Sequence, residues 1–163
     1  MKLFNFSFAL LLVLFSIQAT SAQAEMENSA DATRHGEHFH KNVAGVVLGI
    51  THAGRRKNGP ALALEYERRF NESFGVGGII EYTGGDAEVW VAAIPFAYHT
   101  GHWKFYVAPG VEDGHHGTEE LVRLGGEYAF ELSSGWEVAP QLNVDFVDGD
   151  EVLIFGVLFA RGF

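Results

Sequence analysis

The chain has 163 residues, no cysteine and a formal net charge of −10 at pH 7. This length suits a single domain, and without cysteine an exported chain has no disulfides to stabilise it. The excess of acidic over basic residues argues against nucleic-acid binding, which requires clustered lysine and arginine.

The amino-terminal segment predicts export. Lys2 supplies a positive charge, residues 8–15 form an apolar core, and residues 22–24 (AQA) match a cleavage signature, so residues 1–24 are interpreted as a signal peptide. The alternative, a membrane anchor, is disfavoured because the apolar run is short for a bilayer. Removing these residues leaves ten basic and 21 acidic residues, a formal charge of −11.

Residues 25–42 have no apolar period and are interpreted as a flexible periplasmic leader. They contain His35, His38 and His40, three possible metal ligands. Because no predicted structure fixes the geometry of these imidazoles, no metal site and no cofactor is expected.

From residue 43 onward, apolar stretches recur and alternate with a period of two, which is typical of β-strands. No apolar run in this part has the length of a membrane helix, so a membrane-inserted chain would have to cross as strands. Pro95, Pro109 and Pro140 each remove a donor from a predicted strand, which leaves the register around them open. Eight strands are predicted, over residues 43–51, 61–70, 74–83, 89–99, 103–112, 120–132, 136–147 and 152–163.

Two kinds of break separate these strands. Residues 71–73, 100–102 and 133–135 form compact turns that suit a periplasmic rim. The connections at the opposite end of the strands are more charged and would face the outside of the cell, although they are short for surface loops. They cover residues 52–60, 84–88, 113–119 and 148–151.

Alternate positions of each strand differ in size and polarity. In the last strand Leu153, Phe155 and Phe159 share one face, while Gly156 and Ala160 share the other. Aromatic residues cluster at both strand ends, as bilayer interfaces select. These are Phe70, Phe74, Tyr98, Trp103, Trp136 and Phe163 beside the compact turns, and Tyr82, Trp90, Phe146 and Phe155 at the other end.

Periodicity alone also permits a soluble, lipocalin-like binding barrel, in which the apolar face fills the inside. The polar face, however, is rich in glycine and alanine, which suits the narrow interior of eight strands better than a solvated surface. We therefore expect the apolar face to point outward, into lipid.

The terminal Phe163, preceded by alternating hydrophobic residues, resembles the end of bacterial outer-membrane barrels that the assembly machinery recognises. With its strand count, aromatic belts and signal peptide, the region 43–163 resembles the small eight-stranded barrels of the OmpA and OmpX type. The resemblance implies an all-β fold, a closed eight-stranded antiparallel up-and-down transmembrane β-barrel in the outer membrane. It also implies a structural, surface-interaction or envelope-stability role, contact with outer-membrane lipids and lipopolysaccharide, and a monomeric state.

Because every second residue of a strand faces inward, the alternation places eight acidic and three basic residues inside the barrel. Isolated buried charges are costly, so these groups must pair, hydrate or in part protonate. The favoured interpretation is a polar plug, and a cation path or a small-ligand site in the acidic lumen is the alternative. The predicted lumen network comprises Glu65, Glu67, Arg69, Glu81, Lys104, Glu112, Arg123, Glu127, Glu131, Glu137 and Asp145.

Catalysis is not expected. A barrel acyl hydrolase needs a serine beside a histidine at the outer leaflet, whereas Ser73, Ser133 and Ser134 fall in the compact turns. Asp113 with the pair His115 and His116 could activate water as in outer-membrane proteases, but a solvated loop is the simpler interpretation.

Overall fold

The computed structural model describes residues 40–52, 58–85, 87–115 and 117–163. The predicted signal peptide, the leader up to residue 39 with His35 and His38, residues 53–57 of the first outer loop, and His116 lie outside these residues. Ten strand segments are present: β1 (Asn42–His52), β2 (Gly59–Arg69), β3 (Phe74–Thr83), β4 (Val89–Ala93), β5 (Phe96–Thr100), β6 (Trp103–Gly114), β7 (Gly117–Tyr128), β8 (Phe130–Glu131), β9 (Trp136–Val147) and β10 (Asp150–Gly162).

These segments form eight antiparallel spans that close into a barrel. Each span pairs with its neighbours in the chain, and β10 returns to pair with β1, from Val43 opposite Gly162 to His52 opposite Leu153. Closure leaves no open edge, so every span has a hydrogen-bonded neighbour on each side. The predicted closed eight-stranded antiparallel up-and-down barrel is confirmed.

Two spans are interrupted without a change of register. Between β4 and β5, Pro95 cannot donate, yet its carbonyl still accepts from the Gly77 amide at 3.0 Å. The pairs on either side, Ile79 with Ala93 and Val76 with Phe96, belong to one continuous alignment. The register left open by the proline is therefore unbroken.

The other two strand prolines lie on the outer face of continuous strands. Pro109 is opposite Val122, and Pro140 is opposite Val157.

The second interrupted span is the one formed by β7 and β8, which Ala129 separates. Pairing with β9 resumes in the same alignment, since Glu127 is opposite Gln141 and Phe130 is opposite Val138.

Two of the four outer breaks are clearly shorter than the sequence predicts, whereas the break at residues 84–88 has the predicted bounds. The break expected over residues 113–119 is mostly strand, because β6 extends to Gly114 and β7 begins at Gly117. Between β9 and β10 only Asp148 and Gly149 remain, with φ values of 47° and 82°. Positive φ at both central residues is what a tight type I′ hairpin requires, and Asp-Gly is a favoured pair for it.

The two faces of the wall are sharply different. The inward face is lined by small or aliphatic residues such as Ala63, Ala108 and Ala139, together with buried charged groups. Outward positions carry large apolar side chains, and all ten residues of the two predicted aromatic belts are exposed. This is the reverse of a lipocalin-like barrel. No helix within the described residues has the length and apolarity needed to span a membrane.

Candidate functional site

The candidate site is the polar interior of the barrel. Glu67, Glu81, Lys104, Arg123, Glu127 and Asp145 are buried. Glu65, Arg69, Glu112 and Glu137 are half-buried, and Glu131 is exposed at the end of β8. The buried groups form two clusters at different heights along the barrel, which we name after their central cations.

The Arg123 cluster joins three strands. Arg123 on β7 donates to Asp145 on the neighbouring β9 through Nε (2.7 Å to Oδ1) and Nη2 (2.8 Å to Oδ2). It also donates across the lumen to Glu81 on β3, through Nη1 (2.9 Å to Oε2) and Nη2 (3.2 Å to Oε1). The guanidinium fork thus holds two carboxylates, each in a bidentate pair. This arrangement fills the lumen with a fixed set of charges.

The Lys104 cluster lies nearer the compact turns and is less regular. The Nζ atom of Lys104 is 2.7 Å from Glu127 Oε1, 3.5 Å from Glu67 Oε2 and 3.9 Å from Glu65 Oε2. A single ammonium group therefore serves three carboxylates.

Glu67 has two further cationic neighbours. His99 Nε2 lies 2.6 Å from Glu67 Oε1, and Arg69 Nε lies 3.6 Å from the same oxygen. Within this cluster the three carboxylates face two permanent cations, and His99 provides a third positive charge when it is protonated.

A neutral layer separates the two clusters. Tyr106 Oη donates to Asn143 Oδ1 at 2.7 Å, and both side chains are buried. Gly125 lies between them on β7, where a Cβ would collide with the tyrosine ring and the asparagine oxygen. The missing side chain thus makes room for a ring that fills the cross-section of the barrel.

The Lys104 cluster also contains buried acceptors that lack partners. Among the described residues, Glu127 Oε2 and Gln141 Oε1 make no hydrogen bond, although the two residues are opposite each other on β7 and β9. Gln141 Nε2 donates to Glu65 Oε1 at 3.4 Å. A cavity of about 20 Å³, lined in part by Glu65, Glu67, Lys104 and Tyr106, has room for about one water molecule.

Parity reasoning omitted several members of this interior. The predicted network contains only acidic and basic residues, and the structure adds four polar side chains at inward positions: His99, Tyr106, Gln141 and Asn143. Thr51 and Thr83 add a buried hydroxyl pair at 3.1 Å. All six of these residues could be identified from the sequence as polar side chains at positions that alternate toward the inside of the barrel.

Of the residues considered for catalysis or metal binding, Asp113 and His115 contact other partners. His115 contacts Glu88 at 3.1 Å, and the Asp113 carboxylate accepts from the Thr118 hydroxyl at 2.6 Å. Ser73, Ser133 and Ser134 lie at the compact-turn end. Within the part of the chain that the structure describes, no group of three or more His, Asp or Glu side chains is arranged to hold a metal ion.

Comparison with known proteins gives similarity of structure and none of sequence. No family model and no curated protein matches the chain. The outer membrane protein Ail of Yersinia pestis, determined in a phospholipid bilayer nanodisc, aligns with a TM-score of 0.52 at 14% identity over 75% of this chain and 99% of Ail. A crystal structure of Ail with the heparin analogue sucrose octasulfate gives 0.50 at 14% identity, over 75% and 96% of the two chains.

A de novo designed transmembrane β-barrel is similar to the same degree, with a TM-score of 0.50 at 8% identity over 75% of this chain and 97% of the design. Such low identities establish the fold alone. The protein therefore has the fold of the small eight-stranded outer-membrane β-barrels.

Proposed function

We propose that the mature protein is an integral protein of the bacterial outer membrane, with a structural or surface-interaction role. The observation that carries this proposal is the contrast between the two faces of the wall. Phe105, Leu142 and Phe159 are 47%, 45% and 46% exposed, whereas Glu127 and Asp145 are 3% and 2% exposed. A soluble monomer rarely exposes apolar patches beyond a few hundred Å², and a bilayer provides the apolar surroundings that this wall needs.

Export and assembly complete the proposal. Residues 1–24 act as a cleaved signal peptide, residues 25–42 form a periplasmic leader, and residues 43–163 insert as the barrel. The carboxyl-terminal strand with Phe163 is handed to the barrel assembly machinery. The compact turns face the periplasm, and the inserted monomer contacts outer-membrane lipids and lipopolysaccharide.

The lumen acts as a plug and carries no catalysis. The Arg123 cluster and the Tyr106–Asn143 layer support a closed interior, because both are held by short hydrogen bonds between different strands. Eight strands enclose little more than their own side chains, so we expect these contacts to leave no continuous aqueous path.

Insertion is tested by placing a charge at two heights of the outer wall. In protein refolded into vesicles, Leu142→Lys at mid-wall is expected to cost about 2–4 kcal/mol, because the charge meets hydrocarbon. Leu132→Lys, at the end of β8, should cost about 0–1 kcal/mol because an interface hydrates the charge. Urea unfolding followed by heat-modifiability on gels measures both values. Equal, small costs at the two positions would contradict membrane insertion.

A second candidate function is cation binding or transport through the acidic lumen. The unpartnered oxygens of Glu127 and Gln141 favour it, since both are acceptors without a donor among the described residues. Planar-bilayer recordings distinguish the two candidates. A plug predicts no sustained conductance above background. Stable, ion-selective steps that Glu127→Gln abolishes would contradict the plug and support the second candidate.

A further inference from the structure

The exposed basic residues of the described chain are all at one end of the barrel. Of its six lysine and arginine residues, three face inward, namely Arg69, Lys104 and Arg123, and three are exposed, namely Lys41, Arg68 and Arg161. The exposed three lie on or beside the adjacent strands β10, β1 and β2, at the compact-turn end. We call these three residues the basic seam.

The outward-facing acids of the strands lie at the opposite end. Asp113, Glu120 and Glu151 occupy outward positions near the outer turns. At the end with the basic seam, Glu72 and Glu131 are exposed acids, but neither lies on its three strands. This comparison covers the described residues; the segment 53–57, with Arg55, Arg56 and Lys57, is outside them. A chain of net charge −10 thus presents a local positive surface.

The register fixes the spacing of the two arginines. Arg68 is opposite Asn42 on one side of β1, and Arg161 is opposite Ala44 on the other side. Two strand spacings separate their backbones by roughly 10 Å across β1, and the offset of two residues separates them by roughly 7 Å along it. Ala44 lies between them on β1, and Tyr66, opposite Ala44 on β2, donates its hydroxyl to Asn42 Oδ1 at 3.0 Å.

Among the described residues, each arginine has one anchor, which leaves most of its donors unused. Arg68 Nη1 donates to Asn42 Oδ1 at 3.3 Å, and the Arg161 guanidinium lies 5.6 Å from the centre of the Trp136 ring. Because a guanidinium has five N–H donors, both groups retain donors directed to the outside. Trp136 and Phe163 belong to the aromatic belt, which marks the height of the bilayer interface.

We propose that the basic seam binds the phosphate headgroups of anionic phospholipids in the leaflet at the compact-turn end. This rests on the proposed insertion into the membrane. Guanidinium groups recognise phosphate through paired N–H donors, and basic residues beside an anionic membrane surface attract such lipids. The ligand class is a phospholipid with net negative charge, such as phosphatidylglycerol, held by Arg68 and Arg161 with Lys41 nearby.

The test uses Trp136 as a local reporter, because it touches Arg161. The double substitution Trp90→Phe and Trp103→Phe leaves it as the only tryptophan. This protein is refolded into phosphatidylcholine vesicles that contain brominated phosphatidylglycerol or brominated phosphatidylcholine at equal mole fraction. Quenching is expected to favour the anionic lipid. Arg68→Gln and Arg161→Gln should each reduce that preference, by up to about five-fold.

Three controls make the outcome decisive. A Trp90-only protein reports on the acidic end and should show no preference for the anionic lipid. Arg161→Lys keeps the positive charge and should keep most of the preference, and Glu72→Gln should leave it unchanged. Heat-modifiability verifies that each variant is folded, and Arg161→Gln suffices if Arg68→Gln fails to fold.

The possible results separate this inference from the proposed function. Equal quenching of Trp136 by the two lipids would overturn the basic seam as a lipid site and leave insertion intact. Quenching by neither lipid would contradict insertion itself. A preference for the anionic lipid at Trp90 but not at Trp136 would place the lipid at the wrong end and would also overturn the inference.

Discussion

The two charged clusters of the lumen both place a cation among buried carboxylates, but they do so with different geometry. In the Arg123 cluster one guanidinium matches two carboxylates through four hydrogen bonds of 2.7–3.2 Å. In the Lys104 cluster one ammonium faces three carboxylates at 2.7, 3.5 and 3.9 Å, and two nearby acceptor oxygens have no partner among the described residues.

The difference follows from the shapes of the two cations. A guanidinium is planar and fork-shaped, so it can satisfy two carboxylates in fixed orientations, whereas an ammonium is a point charge with adjustable donors. The Arg123 cluster is therefore the rigid part of the interior. The Lys104 cluster, which has a point charge at its centre and a cavity of water size, is the part that can admit a water molecule.

Removing the central cation of the Arg123 cluster should have the largest effect on the stability of the protein. Arg123→Leu leaves Glu81 and Asp145 buried without their cation, and we expect a loss of about 3–5 kcal/mol in the free energy of unfolding. Urea titration of protein refolded in lipid vesicles measures this loss. As a control, replacing all three residues by leucine should recover most of the stability, because no charge is left uncompensated. A loss below about 1 kcal/mol for Arg123→Leu would contradict a rigid plug.

The matching change in the second cluster should cost less. Lys104→Met keeps the apolar stem and removes the ammonium from Glu127 and Glu65, while Arg69 stays 3.6 Å from Glu67 and the water-sized cavity can hydrate the remaining carboxylates. We expect a loss of about 1–3 kcal/mol in the same unfolding measurement. The comparison between clusters fails if this loss equals or exceeds that of Arg123→Leu.

The smallest effect is expected from Glu127→Gln. An amide keeps one acceptor for Lys104 and gains a donor that can reach the unpartnered oxygen of Gln141 on the opposing strand. Loss of attraction to Lys104 and gain of the new hydrogen bond should nearly cancel, so stability should change by less than about 1 kcal/mol. A larger loss would mean that the carboxylate charge itself holds this cluster together.

Alternation along the chain was enough to predict the wall. The bounds predicted for Phe74–Thr83 and Trp136–Val147 are those observed, because both strands are flanked by turn residues and alternate without a break. The outer breaks over residues 113–119 and 148–151 were predicted too long. In the first, the polar residues around His115 were interpreted as loop, whereas the backbone continues the ladder between β6 and β7.

The contacts inside the barrel were harder to predict. Arg123 and Asp145 are opposite each other on adjacent strands, so strand order and register would suggest that pair. The contact with Glu81 crosses the lumen and depends on side-chain length and barrel diameter, which periodicity does not contain. Glu131 falls on the inward face by alternation, but it lies at the end of the barrel wall. Alternation says which face a residue is on and nothing about its position along the barrel axis.

Closure of the wall has a consequence for how the barrel forms. Asn42 donates to and accepts from the backbone of Phe163, although 121 positions separate the two residues in the chain. Such distant partners must meet before β1 can pair with β10, so closure of the barrel is a late and slow step in folding. Until then both terminal strands expose unpaired amides, which can pair with the edge of another chain.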